Sequence, residues 1–193
     1  MKSICVIGSG ISGSTVANLL SKKYKVDVYE KAKGIGGRSS HRRYLNKLGF
    51  DHGLQYISPK TSKFKKFCSG LQKKRVLKKW QGPHKFDHSK VLENKKHTKL
   101  IGAKGNNAIS KYLLKNINCI FGYELFKIER IRKNWKLSFL NGDVKYYEIL
   151  IISIPFAQSK KLLKKFLPNF FKNKKVKMEA NITVMTVTNK IKN

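Results

Sequence analysis

Cysteine, arginine, acidic side chains and long apolar runs are all in short supply in this chain. Its three cysteines, Cys5, Cys68 and Cys119, lie far apart and form no Cys-x-x-Cys pair, which argues against a zinc site and against a disulfide framework. His84 and His88 stand four apart, as a metal pair on one helix face would, yet no third ligand lies near them, so no metal is expected. No apolar stretch approaches the roughly 18 to 20 residues that a membrane span needs. The opening residues enter a strand pattern at once, which leaves no space for a signal peptide, and the expected location is the cytoplasm. Acidic residues number 10 against 43 basic ones, for a formal net charge of +33. The excess is almost all lysine, spread from Lys2 to Lys192, with arginine confined to positions 38, 42, 43, 75, 130 and 132. Nucleic-acid sites favour arginine forks gathered on one element. The pattern therefore predicts nonspecific, salt-sensitive adhesion to polyanions rather than a dedicated nucleic-acid function. With abundant Asn and Ile beside the lysine, it fits compositional drift in a low-GC genome.

The chemistry that is present concentrates in the first 38 residues. Residues 3–7 are a short apolar run suited to a buried parallel strand, and the run Gly8-Ser9-Gly10-Ile11-Ser12-Gly13 then turns the chain into a helical pattern over 11–20. Gly8 makes the turn, Gly10 allows the backbone to approach a pyrophosphate, and Gly13 lets the helix pack on the strand. The helix N-terminus, at Ile11 and Ser12, offers unpaired N–H groups and the positive end of its dipole to a diphosphate. A second strand over 26–30 ends on Glu30, at the spacing where a carboxylate meets an adenosine ribose. A carboxylate there repels a ribose 2′-phosphate, so the expected ligand is FAD or NAD rather than NADP.

The next segment, Glu30-Lys31-Ala32-Lys33-Gly34-Ile35-Gly36-Gly37-Arg38, suits a second loop folded back over the pyrophosphate, with Arg38 supplying a fork of donors. Here the chain resembles the flavin amine oxidase superfamily of the glutathione-reductase type, which implies FAD. Phe50-Asp51-His52-Gly53-Leu54-Gln55-Tyr56-Ile57 is similar to the FDHGxQY segment of the renalase-like FAD-dependent oxidoreductases. Gly102-Ala103-Lys104-Gly105-Asn106-Asn107-Ala108-Ile109 is similar to their GxxGMNAL turn, with Asn106 where methionine is usual. Ile151-Ile152-Ser153-Ile154-Pro155-Phe156-Ala157-Gln158 is similar to their VLAVPAPQ strand end.

Elsewhere the pattern is coarser. Residues 41–44 read as an exposed strand or loop, and 61–72 as an amphipathic helix carrying Phe64, Phe67 and Leu71. Asp51 is expected to hydrogen-bond a loop backbone. His52 either positions that turn or works beside the flavin, and Gly53 is expected to bring the backbone near the ring. Trp80 is either core of a small lobe or the roof of the cofactor pocket. A helix is expected over about 106–115, then a three-stranded antiparallel meander with an Asn141-Gly142 hairpin, delivering a fully apolar, buried strand over 149–154. A basic helix over 157–167 turns Leu162, Leu163 and Phe166 inward, and 182–187 alternate as a strand.

The expected fold is α/β: a Rossmann-like FAD-binding domain with a βαβ start and an antiparallel meander, plus an incomplete substrate lobe. Residues 1–60 and 99–167 are expected to form the first domain, and 61–98 with 168–193 part of the lobe. Cofactor contacts are expected from Gly8, Gly10, Ile11, Ser12, Gly13, Glu30, Lys31, Gly36, Gly37, Arg38, Gln55 and Ile128. The resemblance lays the Ile128 backbone beside the adenine, while the residue itself reads equally well as ordinary core. Candidates near the flavin and a small-molecule substrate are His52, Gln55 and Tyr56. The resemblance implies hydride transfer from a dihydronicotinamide or an amine to flavin, with reoxidation by dioxygen. Full members of that family continue well beyond this length, so half of the flavin-ring site is expected to be missing, or supplied by a second chain. Two other readings stay open: a nucleotide-binding remnant without catalysis, and an interaction protein that uses its basic surface.

Overall fold

The computed structural model describes residues 2–45, 48–80, 85–87, 90–91, 98–174 and 176–187. The expected histidine pair, His84 and His88, lies outside them. In chain order, the first strand β1 (Ser3–Ile7) leads into helix α1 (Ile11–Leu20), and β2 (Lys25–Glu30) follows. A 3₁₀ turn at Gly37–Ser39 leads to the hairpin β3 (His41–Tyr44) and β4 (Leu48–Asp51), then α2 (Ser62–Lys73) and the short strands β5 (Leu77–Lys79), β6 (Lys85–Asp87), β7 (Lys90–Val91) and β8 (Leu100–Gly102). After α3 (Ala108–Leu113) come β9 (Asn118–Phe121), β10 (Leu125–Ile131), β11 (Asn134–Phe139), β12 (Val144–Tyr147), β13 (Ile149–Ile152), α4 (Phe156–Leu163) and α5 (Pro168–Asn173).

A four-stranded parallel sheet in the order β13-β1-β2-β9 is the centre of the molecule. Because β1 has neighbours on both sides and layers on both faces, it reads as an unbroken apolar run. Ile4 and Val6 point to one face, where they pack with Val26, Val28, Ala17 of α1 and Leu114. Cys5 and Ile7 point to the other, against Tyr29 and the meander residues Leu125, Ile128, Leu137, Phe139 and Tyr147. The meander β10-β11-β12 thus covers one face as an antiparallel layer, with its hairpin at Asn141-Gly142. The result is a Rossmann-like α/β domain, as the βαβ spacing predicts.

A polar seam ties the meander to the sheet. Tyr147 donates to Asp27 Oδ2 at 2.8 Å, the Tyr29 and Tyr147 hydroxyls meet at 2.8 Å, and Asn118 Nδ2 donates to Asp27 Oδ1 at 2.8 Å. Burial, the Tyr29 hydroxyl and the Asp27 carboxylate push the Tyr147 phenol far above its ordinary range. Burial, reinforced by Asp27, likewise pushes up the Cys5 thiol, so Cys5 behaves as a small core residue. A third apolar cluster gathers Cys68 and Leu71 of α2 with Ile57, Leu77, Leu100, Ile109 and Leu113. On α2 the inward face is therefore Cys68 and Leu71, while Phe64 and Phe67 stack on each other, half exposed.

Four expectations need correction. The apolar strand β13 is only half-buried, because it lies at the edge of the parallel sheet with a neighbour on one side alone. Helix α3 is shorter than 106–115, since residues 105–107 are held in a turn by the Asn106 side chain. The helix expected over 157–167 ends at Leu163, and Leu167, which precedes Pro168, leaves helical geometry with ψ 55°. Residues 182–187 form no strand: among the described residues they pair with no neighbour, and Ile182 and Val184 are 90% and 79% exposed. Among the described residues, no helix is long and apolar enough to cross a membrane, and no three His, Cys, Asp or Glu side chains gather as metal ligands.

Candidate functional site

The site begins where β1 ends. Gly8 takes φ +100° and Gly10 is the N-cap of α1, so the loop residues Ser9 and Gly10 stand directly at the helix start. Two of the three loop glycines are demanded by the chain itself. A side chain at Gly8 is strained by its positive φ, and a Cβ at Gly13 would lie 2.0 Å from the Gly8 carbonyl oxygen. Gly10 is different. Its φ is −68°, and a Cβ there would meet nothing nearer than 3.9 Å. The folded chain by itself has room for alanine at 10.

The end of α1 is also left open. Gly10 has no side chain to cap it, no acidic residue stands in the first turn, and the Ser9 hydroxyl is turned elsewhere. The first N–H groups of a helix have no intrahelical acceptor. Here they form an uncapped donor cluster at the positive end of the dipole. Ile11 and Ser12, on that first turn, are solvent-exposed.

Glu30 locks this loop from the end of β2. Its Oε2 accepts from the Ser9 N–H at 2.9 Å and the Ser9 hydroxyl at 2.8 Å, and its Oε1 accepts from the Ala32 N–H at 2.9 Å. Glu30 is 8% exposed, so the burial of its charge is offset by three donors. A carboxylate has about four acceptor positions. Three are taken, leaving one, on Oε1, for a further donor.

The second glycine loop, residues 34–38, packs against the first. Gly36 and Gly10 pair as a parallel bridge, with the Gly36 N–H donating to the Ser9 carbonyl at 3.2 Å. Gly36 and Gly37 have φ of +135° and +54°. Arg38 follows, exposed and, among the described residues, without an ion pair. Lys31, at the start of this segment, makes a half-exposed pair with Glu124 at 3.7 Å. Ile128 has its side chain in the core with Leu137 and Phe139.

Beyond the loops opens a cleft of about 760 Å³, lined by Gly37, Arg38, Ser40, His52, Gly53, Leu54, Asn181 and Thr183. His52 Nε2 lies 3.0 Å from the Ser40 hydroxyl, and the Thr183 hydroxyl donates to the His52 carbonyl at 2.9 Å. Gly53 is required by the chain itself, since a Cβ would lie 2.2 Å from the Arg38 carbonyl, to which the Leu54 N–H donates at 3.1 Å. Asp51 Oδ1 accepts the Asn106 N–H at 2.8 Å, the loop-backbone role predicted for it, and meets His41 Nδ1 at 2.9 Å. The Gln55 residue is exposed, and Tyr56 stacks on Trp80 at 5.2 Å with Lys99 Nζ 4.4 Å above the Tyr56 ring. None of these four side chains is among those that line the cleft.

Two residues at the turn before α3 went unrecognised as structural joints in the sequence. Asn106, 1% exposed, accepts the Gly102 N–H at 2.8 Å on Oδ1 and donates from Nδ2 to the Leu54 carbonyl at 2.6 Å and the Gln55 carbonyl at 3.1 Å. Asn107, also buried, donates to the Ile35 carbonyl at 3.2 Å. An Asn-Asn pair after Gly reads locally as turn chemistry, and only the long-range contacts reveal its reach.

Comparison with known proteins agrees with this geometry. A family model described as an NAD(P)-binding Rossmann-like domain matches residues 6–71, the stretch from β1 to α2. The solved structure of the tetracycline destructase Tet(51) superposes with a TM-score of 0.57 at 16% identity, covering 84% of this chain and 41% of its own. A protein of Exiguobacterium sp. 255-15 assigned as a protoporphyrinogen oxidase superposes with a TM-score of 0.66 at 11% identity, covering 89% of this chain and 63% of its own. The chain thus spans less than two thirds of either neighbour's length, and at such identities the likeness is one of fold.

Proposed function

We propose that this chain holds FAD on its two joined glycine loops and serves as an FAD-dependent oxidoreductase. The observation that carries the reading is the surface at Gly10: bare without internal cause, at an uncapped helix start, and facing a second glycine loop that ends in Arg38, which makes no ion pair among the described residues. In this reading the first N–H groups of α1 and the Arg38 guanidinium hold the diphosphate. The remaining acceptor position on Glu30 Oε1 takes a ribose hydroxyl, and its charge excludes a 2′-phosphate.

Bound FAD supplies a two-electron acceptor able to take a hydride from a reduced substrate and pass electrons to dioxygen. The chain's own part is to bind and orient. Gly37, Arg38 and Gly53 line the cleft together with His52, whose ring meets the Ser40 hydroxyl and whose carbonyl accepts from Thr183. Lys31, Gln55 and Ile128 belong to the cofactor contacts in this reading, and Tyr56 to the substrate side. The substrate is a dihydronicotinamide or an amine. That one structural neighbour is assigned as an oxidase supports redox chemistry for this fold.

The test is binding of added FAD by the purified chain, followed by flavin fluorescence quenching and by absorbance. Wild type is expected to bind, and Gly10→Glu to lose affinity by at least about 100-fold, through lost approach and added negative charge. The melting temperature of Gly10→Glu without ligand is expected to stay near wild type, since the position is spacious. Failure of wild type to bind either FAD or ADP overturns the proposal, as does unimpaired binding by Gly10→Glu. Binding without any oxidase turnover assigns the chain a nucleotide-holding role alone.

A further inference from the structure

Asn107 occupies the N-cap position of α3 and yet does not cap it. Asparagine is among the best N-cap residues, and a side-chain cap typically contributes about 1 kcal/mol. Here its Nδ2 instead donates to the Ile35 carbonyl, 72 positions away, and its Oδ1 is buried with no hydrogen-bond partner among the described residues. The residue thus leaves a buried acceptor unpaired, a cost that a purely architectural role does not explain. What it gains is a grip on the second glycine loop. Ile35 is held by the amide, and Gly36 lies so close that a Cβ there would come within 2.8 Å of the Asn107 Cβ. Gly36 is in turn the residue that bridges to Gly10 through the Ser9 carbonyl.

We infer that Asn107 is a positioning residue for the dinucleotide diphosphate: through Ile35 and Gly36 it sets the gap between the two glycine loops. The inference rests on the reading of those loops as an FAD site.

Asn107→Ser and Asn107→Ala separate this role from simple support. Serine cannot reach the Ile35 carbonyl, and both substitutions remove the unpaired Oδ1. The melting temperature of each variant without ligand is therefore expected within about 2 °C of wild type. Dissociation constants for FAD, by fluorescence quenching, and for ADP, by calorimetry, are expected to rise roughly 5- to 10-fold, the worth of one misplaced hydrogen-bonded loop. Unchanged affinity for both ligands in Asn107→Ser overturns the inference while leaving the site intact. A melting temperature lowered by more than about 5 °C, with affinity falling in step, also overturns it, because Asn107 then merely supports the fold. If wild type binds neither ligand, the reading of the site falls first and this inference with it.

Discussion

Replacing Glu30 with glutamine puts the loop clamp to a quantitative test. The carboxylate accepts from three protein donors, two at Oε2 and one at Oε1. An amide has one acceptor atom, so one end must present N–H groups to a donor. The cheaper orientation keeps the carbonyl on the two Ser9 donors and turns the NH₂ toward the Ala32 N–H. One charge-assisted bond is then lost, about 1.5 to 3 kcal/mol, and the surviving pair loses its ionic reinforcement. The expected sum is about 2 to 4 kcal/mol, which for a chain of this size lowers the melting temperature by roughly 5 to 15 °C. Glu30→Ala strands the Ser9 N–H in the interior and should cost more than the glutamine variant. Lys31→Ala removes only a half-exposed ion pair with Glu124 and should change stability by less than about 1 kcal/mol. Thermal melts followed by circular dichroism at neutral pH read all three. If Gln and Ala at position 30 both melt within about 2 °C of wild type, the clamp is not holding the loop and the argument for a pre-formed cradle fails.

Tyr147→Phe removes the donor to Asp27 and the partner of Tyr29 and should cost about 1 to 2 kcal/mol by denaturant titration. The same seam sets an alkaline limit. The folded Tyr147 holds its proton well above the ordinary phenol value of 10.0, so its contribution is complete below that pH and is lost as pH rises beyond it. Wild type should therefore destabilise more steeply than Tyr147→Phe above about pH 10, and parallel curves would refute the assignment. Asn106→Met installs the residue usual in the resembling family yet should lower stability by about 2 to 4 kcal/mol, because the Gly102 N–H and the Leu54 and Gln55 carbonyls lose their partner. A methionine variant as stable as wild type in a chemical melt would show that this turn does not depend on its amide.

The nucleotide end of the molecule was legible in the sequence because its determinants are local. A five-residue apolar run, three glycines at fixed spacing and an acid closing the next strand fix a strand, a turn and a helix start within thirty residues, and β1 and α1 run from Ser3 to Ile7 and from Ile11 to Leu20 as that spacing predicts. The meander was legible for the same reason, through period-two alternation and an Asn-Gly hairpin. What tertiary structure alone decided was everything set by distant partners. An all-apolar strand reads as central, but β13 lies at an edge, and no local pattern counts neighbours in a sheet. Gly53 is bare because the Arg38 carbonyl passes over it, Asn106 reaches back to residues 54 and 55, and Asn107 reaches to Ile35. Residues 182–187 alternate like a strand yet pair with nothing among the described residues, since alternation supplies a face but not the neighbouring strand whose hydrogen bonds make it one. Spacing along the chain fixes the geometry of a loop, whereas the contacts that hold one loop against another depend on where the fold brings residues far apart in sequence.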